Sequence, residues 1–276
     1  MTDTSAKGGA NLYGALRFKP PPNVARSFMD FCEWSAQQPP ALRGEVHVSD
    51  VVSSRGWDCD RYVQFILQQS LTNPVDSLKF IYKSLTYGTA FHQWIYNDLE
   101  NSLTWAYKDR DYVIQDIIVE QSGRDETTDI VMTPDIVVRY SHTDNPHETA
   151  LAVYDVKTVT VSKWKRRQSR LGYSIEPEYK RQLSFYAQSL DATHAAFIIG
   201  VIDDRPGKNR ADNHRLFQLE HDFSGRRLLP WIRDRLDGLE QMTAQGVIAE
   251  KTTKKSRCTA CHFSAICQKA DAMQRK

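Results

Sequence analysis

The sequence predicts an α/β fold: one mixed central sheet flanked by helices and closed by a cysteine-bearing C-terminal tail. Three observations predict it. The first hundred residues carry helix-like segments, and the middle of the chain switches to strand-like alternation. Helices and apolar strands then interleave, which is the pattern of a layered α/β domain. Three closely spaced cysteines follow the last helix.

The elements read as follows. Residues 1–24 are rich in Gly, Pro and small polar residues, end in PPP, and are expected to form a flexible tail. Residues 25–276 are expected to form a single domain. A short helix is expected over 26–37, stopped before Pro39. Ser49 and Asp50 are candidate caps, and helices are expected over 59–69 and from Pro74 to Glu100. Residues 111–121, 128–140 and 149–160 alternate like antiparallel strands, linked by the turns SGRDE and SHTDNPHE. A helix over 176–190, strands over 195–204 and 214–223, and a helix over 224–246 with Pro230 inside it complete the order.

Bulk properties exclude some functions. Hydrophobic residues make up 41% and charged residues 25%, which suits a soluble globular chain. No apolar run approaches the ~18 residues that span a bilayer, so no membrane partner is expected. The N-terminus lacks the apolar core of a signal peptide, so a cytoplasmic location is expected. A net charge of +2 excludes attraction of the whole molecule to nucleic acid. Cations are nonetheless clustered in KWKRRQSR at 163–170 and KTTKKSR at 251–257. Five cysteines, an odd number, argue against a disulfide framework. Cys258, Cys261 and Cys267 form C-x2-C-x5-C, a spacing that suits zinc or an iron–sulfur cluster.

The stretch LAVYDVKTVT at 151–160 reads as a strand. Side chains alternate across a strand, so Asp155 and Lys157 share a face. Alone, the pair fits a structural ion pair or a metal-dependent active site. Phosphodiester hydrolysis needs a divalent cation, carboxylates to hold it, and a group to position water. Mg²⁺ or Mn²⁺ prefers oxygen ligands. Asp135 in TPDIVVRY, one hairpin upstream, is the candidate second carboxylate.

Pro134-Asp135 followed by Asp155-Val156-Lys157 resembles the PD-(D/E)xK nuclease superfamily. GTAFHQW at 88–94 and YKRQLSFYA at 179–187 are similar to the Gly-x-x-x-His and Gln-x-x-x-Tyr helices of its RecB-type exonuclease branch. The resemblance covers roughly residues 47–268. It implies a restriction-endonuclease-like core and a metal-dependent DNA exonuclease acting from DNA ends. His92, Asp135, Asp155 and the carbonyl of Val156 would hold Mg²⁺ or Mn²⁺. Lys157 would orient or activate water. Gln182 and Tyr186 would touch the DNA backbone or the lysine, with Tyr179 on their face. Asp155 stands where many members have Glu; the RecB-type branch often has Asp. Glu120 is a candidate for a supporting or second-metal role, or an exposed strand end.

The same branch includes members with a 4Fe-4S cluster on three C-terminal cysteines and one upstream. Cys59 sits at that upstream place beside Cys258, Cys261 and Cys267, and Cys32 is the spare. Zn²⁺ on the same cysteines, with His262, is the alternative. The basic loop at 163–170 after the D-x-K strand, with Lys163, Lys165, Arg166, Arg167 and Arg170, would grip phosphates. Trp164 would stack on an unpaired base or dock against the sheet. The implied partner is DNA, single-stranded or with free ends. Two kinds of relative compete: the CRISPR-associated exonuclease and RecE-like phage recombination exonucleases, which bring homo-oligomers or partner proteins of recombination or CRISPR. A structure- or site-specific endonuclease and a catalytically inactive DNA-binding module are the other readings.

Overall fold

The computed structural model describes residues 45–68, 82–107, 112–169, 172–202, 215–225, 227–258, 261 and 263–274. All lie in one compact unit. The expected tail over 1–24, the helix over 26–37, Cys32, Arg170 and His262 fall outside the described residues.

Three short helices come first: α1 (Val48–Val52), α2 (Ser54–Asp58) and α3 (Asp60–Leu67). His47, not Ser49, caps α1, and Asp50 reaches back to the His47 N–H at 3.0 Å. Ser53 caps α2 by accepting from the Gly56 N–H. A Cβ at Gly56 would lie 1.9 Å from the Asp50 carbonyl oxygen, so glycine lets α2 pack on the backbone of α1. The long helix α4 is described over Tyr82–Tyr107 and ends later than expected; residues 74–81 of the expected helix fall outside the described residues.

The sheet follows. Strands β1 (Tyr112–Val119), β4 (Ile136–His142), β5 (Asn145–Thr160), β8 (His194–Ile202) and β9 (Arg215–Glu220) form five strands in the order β1-β4-β5-β8-β9. All neighbours are antiparallel except β5 and β8. The sheet is therefore mixed, as expected. The expected strand over 128–140 is interrupted: β2 (Gly123–Arg124) pairs with a two-residue β3 (Val131–Met132), and Pro134-Asp135 separates β3 from β4. Proline has no N–H to give a ladder, and the break aims Asp135 out of the sheet's regular pairing.

Between β5 and β8 the chain crosses over. The basic stretch expected as a loop is helix α5 (Val161–Arg167). Thr160 caps it, accepting from the Lys163 N–H at 3.2 Å, and Lys and Arg are good helix formers. A small hairpin, β6 (Gln168–Ser169) and β7 (Gly172–Tyr173), leads into α6 (Pro177–Ser189). Proline at the first position of α6 starts the helix where no N–H is needed. Helix α7 (Leu228–Ala244) takes Pro230 in its first turn for the same reason. Helices α8 (Lys255–Cys258) and α9 (Ser264–Gln274) end the described chain.

The sheet has two buried faces. One bears Val153, Val159, Phe197 and Ile199 and is covered by α1, α3, α6 and α7. The other bears Ile136, Val138, Ala152 and Val156 and is covered by α4 through Phe91, Ile95, Leu99 and Leu103. Gly200 on β8 makes room for that helix, since a Cβ there would lie 2.3 Å from the Phe91 ring. No helix among the described residues is long and apolar enough to cross a membrane.

Candidate active site

The register of the sheet assembles three carboxylates in a row. Ile136 pairs with Tyr154, so one residue back Asp135 stands opposite Asp155. Val119 pairs with Ile136, so Glu120 stands opposite Asp135, and the Glu120 N–H donates to the Asp135 carbonyl at 3.1 Å. Glu120 has φ 47°, a left-handed conformation that turns the chain sharply where β1 ends. Glu120, Asp135 and Asp155 thus lie across three adjacent strands. The sequence supplied the last two firmly and Glu120 as one of two readings.

Asp155 is fully buried. Its Oδ1 accepts from the Lys157 ammonium at 2.7 Å, and its Oδ2 has no hydrogen-bond partner among the described residues. The Lys157 Nζ is also 3.9 Å from Asp135 Oδ2. That same oxygen accepts the Val156 N–H at 2.6 Å, which fixes the Asp135 carboxylate over the strand. Burial pushes the Asp155 carboxyl up to about 7, with the Asp135 charge adding to it and the Lys157 charge opposing it. Burial pulls Lys157 down, but the two carboxylates outweigh it and hold the ammonium above the ordinary lysine value. Lys157 is therefore a charged donor in this site.

His92 arrives from α4. Its Nε2 lies 3.0 Å from the Val156 carbonyl oxygen, and its Nδ1 lies 3.0 Å from the Tyr96 hydroxyl, one helical turn on. Tyr96 donates to Glu120 Oε1 at 3.2 Å. Ligand atoms of His92, Glu120 and Asp135 all lie within 4.8 Å of one another. Tyr96 was missed in the sequence; the only signal was a tyrosine at i+4 from His92, on the same helical face.

The helix α6 covers the other side. Lys157 Nζ sits 5.0 Å over the Tyr179 ring. Gln182 donates to the Tyr186 hydroxyl at 2.8 Å. Tyr186 is 4% exposed, and burial pushes its hydroxyl up to about 12. The expected contact of this helix with the lysine is thus made by Tyr179, while Tyr186 packs beneath the site.

The residues fit a divalent cation. The donor set is mostly hard oxygen, from two aspartates and a backbone carbonyl, with one borderline imidazole nitrogen that Mn²⁺ tolerates. Asp155 Oδ2 is a buried carboxylate oxygen left over by the protein's own hydrogen bonds. Two adjacent ligands of an octahedral ion with bonds of about 2.1 Å stand about 3.0 Å apart, as His92 Nε2 and the Val156 oxygen do.

The basic helix α5 divides into two pairs. Lys163 lies 3.1 Å from Glu176 Oε1, and Arg167 pairs with the same oxygen. Lys165 and Arg166 are exposed. Trp164 is stacked on Phe217 of β9, with ring centroids 4.6 Å apart and an interplanar angle of 13°. Phe217 thus occupies one face of the Trp164 indole.

Cys59, Cys258, Cys261 and Cys267 line one cavity of about 230 Å³, with Arg55, Arg61 and Phe263. The Thr252 N–H donates to Cys59 Sγ at 3.5 Å, and Arg61 donates to Cys267 Sγ at 3.4 Å. Four sulfurs thus face one space, and two of them receive N–H donors.

A nuclease core of restriction-endonuclease-like fold is the class that this sheet and this row of carboxylates with a lysine define. Residues 134–268, which include Asp135, Asp155, Lys157, Gln182 and Tyr186, match the family model of the PD-(D/E)XK nuclease superfamily. His92, Tyr96, Glu120 and Cys59 precede the matched segment. No curated protein matches the chain. Among solved structures, the chain is similar to SSO0001, at 14% identity over 88% of this chain and 96% of that one, with a TM-score of 0.39. It is also similar to LHK-Exo in complex with dAMP, at 14% identity over 77% of this chain and 93% of that one, with a TM-score of 0.39. A further match is the alkaline exonuclease LHK-Exo from Laribacter hongkongensis, at 12% identity over 79% and 93%, with a TM-score of 0.38.

Proposed function

We propose that the protein is a metal-dependent DNA exonuclease of the RecB-type branch. The observation that carries the nuclease reading is the fixed set Asp135, Asp155, Val156 and Lys157 facing His92. The exonuclease reading is supported by the resemblance of GTAFHQW, with His92, and YKRQLSFYA, with Gln182 and Tyr186, to the Gly-x-x-x-His and Gln-x-x-x-Tyr helices of that branch. Asp135, Asp155, His92 and the Val156 carbonyl would hold Mg²⁺ or Mn²⁺. Such an ion neutralises phosphate charge and makes bound water a better nucleophile.

The chain's own groups have separable roles. The charged Lys157 cannot take a proton, so it acts as a donor that orients water and offsets developing negative charge. Tyr179 supports the ammonium from below. Gln182 fixes the Tyr186 hydroxyl and so the face of α6 beneath the site. Lys165 and Arg166 offer exposed cations to phosphates one helix away from Lys157.

We further propose a 4Fe-4S cluster on Cys59, Cys258, Cys261 and Cys267, as a structural staple. Its support is that the four cysteines line one cavity and carry the spacing that the resemblance implies for a cluster. Brown protein with stoichiometric iron and sulfide supports the cluster; colourless protein with one zinc refutes it.

Digestion of end-labelled linear DNA and of covalently closed circles with Mn²⁺ tests the activity. Loss of the linear form alone is expected. Cutting of circles identifies an endonuclease, and binding without loss of either form identifies an inactive module.

A further inference from the structure

Tyr96 and Glu120, which the metal-site reading does not use, extend from its ligand His92 in a chain that sets which nitrogen of His92 faces the site. Glu120 is an acceptor and Tyr96 has one hydroxyl proton. Tyr96 lies 3.2 Å from Glu120 Oε1 and 3.0 Å from His92 Nδ1. If Tyr96 gives its proton to Glu120, its oxygen can accept from His92 only if Nδ1 carries a hydrogen. In a neutral imidazole Nε2 then bears a lone pair and lies 3.0 Å from the Val156 carbonyl oxygen, another lone-pair donor. Two lone-pair donors at that distance repel each other unless a cation lies between them.

We propose that Tyr96 and Glu120 are positioning residues that hold His92 in the Nδ1–H tautomer, with Nε2 presented to a divalent cation. This rests on the metal-site reading above and adds two residues to it. The placement is specific. Tyr96 is half-buried on the same helical face as His92, one turn along α4, and the two rings meet edge-on at 5.7 Å. Glu120 is held by its left-handed turn and by its backbone bond to Asp135. The carboxylate that orients the histidine is thus tied to the strand that carries another ligand. A displaced α4 would break the Tyr96–Glu120 bond and turn the imidazole together. Carboxylate-oriented histidines are a general device for raising ligand basicity and fixing ring orientation, here with a tyrosine hydroxyl interposed.

The test is Mn²⁺ binding to the full chain without DNA, read by electron paramagnetic resonance of the ion. Tyr96→Phe keeps the ring and removes the hydroxyl; Glu120→Gln keeps the shape and removes the charge. Each is expected to weaken Mn²⁺ binding about 10–100-fold. The double variant is expected to lose little beyond the larger single loss, because both residues act through one chain. Melting temperatures without metal are expected to stay close to wild type. Unchanged Mn²⁺ affinity in Tyr96→Phe overturns the proposal, as do losses that add in full in the double variant. A lowered number of bound ions in Glu120→Gln, at unchanged affinity, also overturns it, since Glu120 would then be a ligand of a second ion. His92→Ala separates this from the parent reading. If His92→Ala binds Mn²⁺ as wild type does, the metal site itself is misassigned. If it loses the ion while Tyr96→Phe retains it, only the positioning chain fails.

Discussion

At the scale of single residues, Asp155 and Lys157 divide the work by burial. Asp155 is enclosed, and its Oδ2 has no hydrogen-bond partner among the described residues, a costly state for a carboxylate unless a cation meets it. Lys157 meets only the other oxygen. Lys157→Ala is therefore expected to leave Mn²⁺ binding within a few-fold of wild type while lowering the cleavage rate by about 10²–10³, the scale on which one lost transition-state donor acts. Single-turnover digestion beside a metal titration checks this; wild-type cleavage by the variant would remove Lys157 from the chemistry. The pH dependence has a definite sign. Burial raises the Asp155 carboxyl to about 7 in the folded chain, so a proton must leave before the ion binds. Mn²⁺ affinity should rise from pH 5 toward pH 8 and level off above that, and Asp155→Asn should make the rise shallower. These two residues were legible in the sequence because strand alternation alone puts them on one face. Tyr96 was not, because the carboxylate that gives it meaning lies 24 residues away on another element.

At the scale of elements, the site depends on how α4, the hairpin β4–β5 and α6 meet. Gly200 admits Phe91, and with it the turn of α4 that carries His92. The hairpin register sets Asp135 opposite Asp155. The hairpin was legible from alternation and turn residues. The helix α5 was not, because five cations in eight residues look like a solvated loop until Thr160 is recognised as a cap. That helix sorts its cations, and a prediction follows for DNA binding. Lys165 and Arg166 are exposed, whereas Lys163 and Arg167 already share Glu176. Replacing Lys165 and Arg166 by Ala should reduce the salt slope of binding by about 1.4–1.8, at about 0.7–0.9 per phosphate contact. The same change at Lys163 and Arg167 should reduce it less. Equal slopes in both double variants would show that the pairing with Glu176 does not matter for the interface.

At the scale of the whole molecule, the C-terminal segment is bound back onto the first helices. Arg61, buried in α3, donates to the Ala249 carbonyl at 2.8 Å and pairs with Asp271 at 2.5 Å. Gln64, also buried, donates to the Val247 carbonyl and accepts from the Ala249 N–H, both at 2.8 Å. Phe263 packs edge-on against both Tyr62 and Phe65. The four cysteines lie in the middle of these contacts, with Thr252 reaching Cys59 across 193 residues of sequence. A centre bound there would close most of the chain into one loop, and its binding energy would count toward folding. The active site lies elsewhere, on the carboxylate row of β1, β4 and β5. Removing a cysteine should therefore weaken the fold more than the chemistry. Cys59→Ala is expected to lose the metal centre and to melt lower, by about 2–4 °C for each kcal/mol lost in a domain of this size. Below its melting point, the variant should still bind Mn²⁺ at the carboxylates with wild-type affinity. Calorimetry and a Mn²⁺ titration on the same sample check both halves. An unchanged melting temperature would mean that the cysteines do not staple the fold, and a parallel loss of Mn²⁺ affinity would mean that the two sites are coupled through α3 and α6.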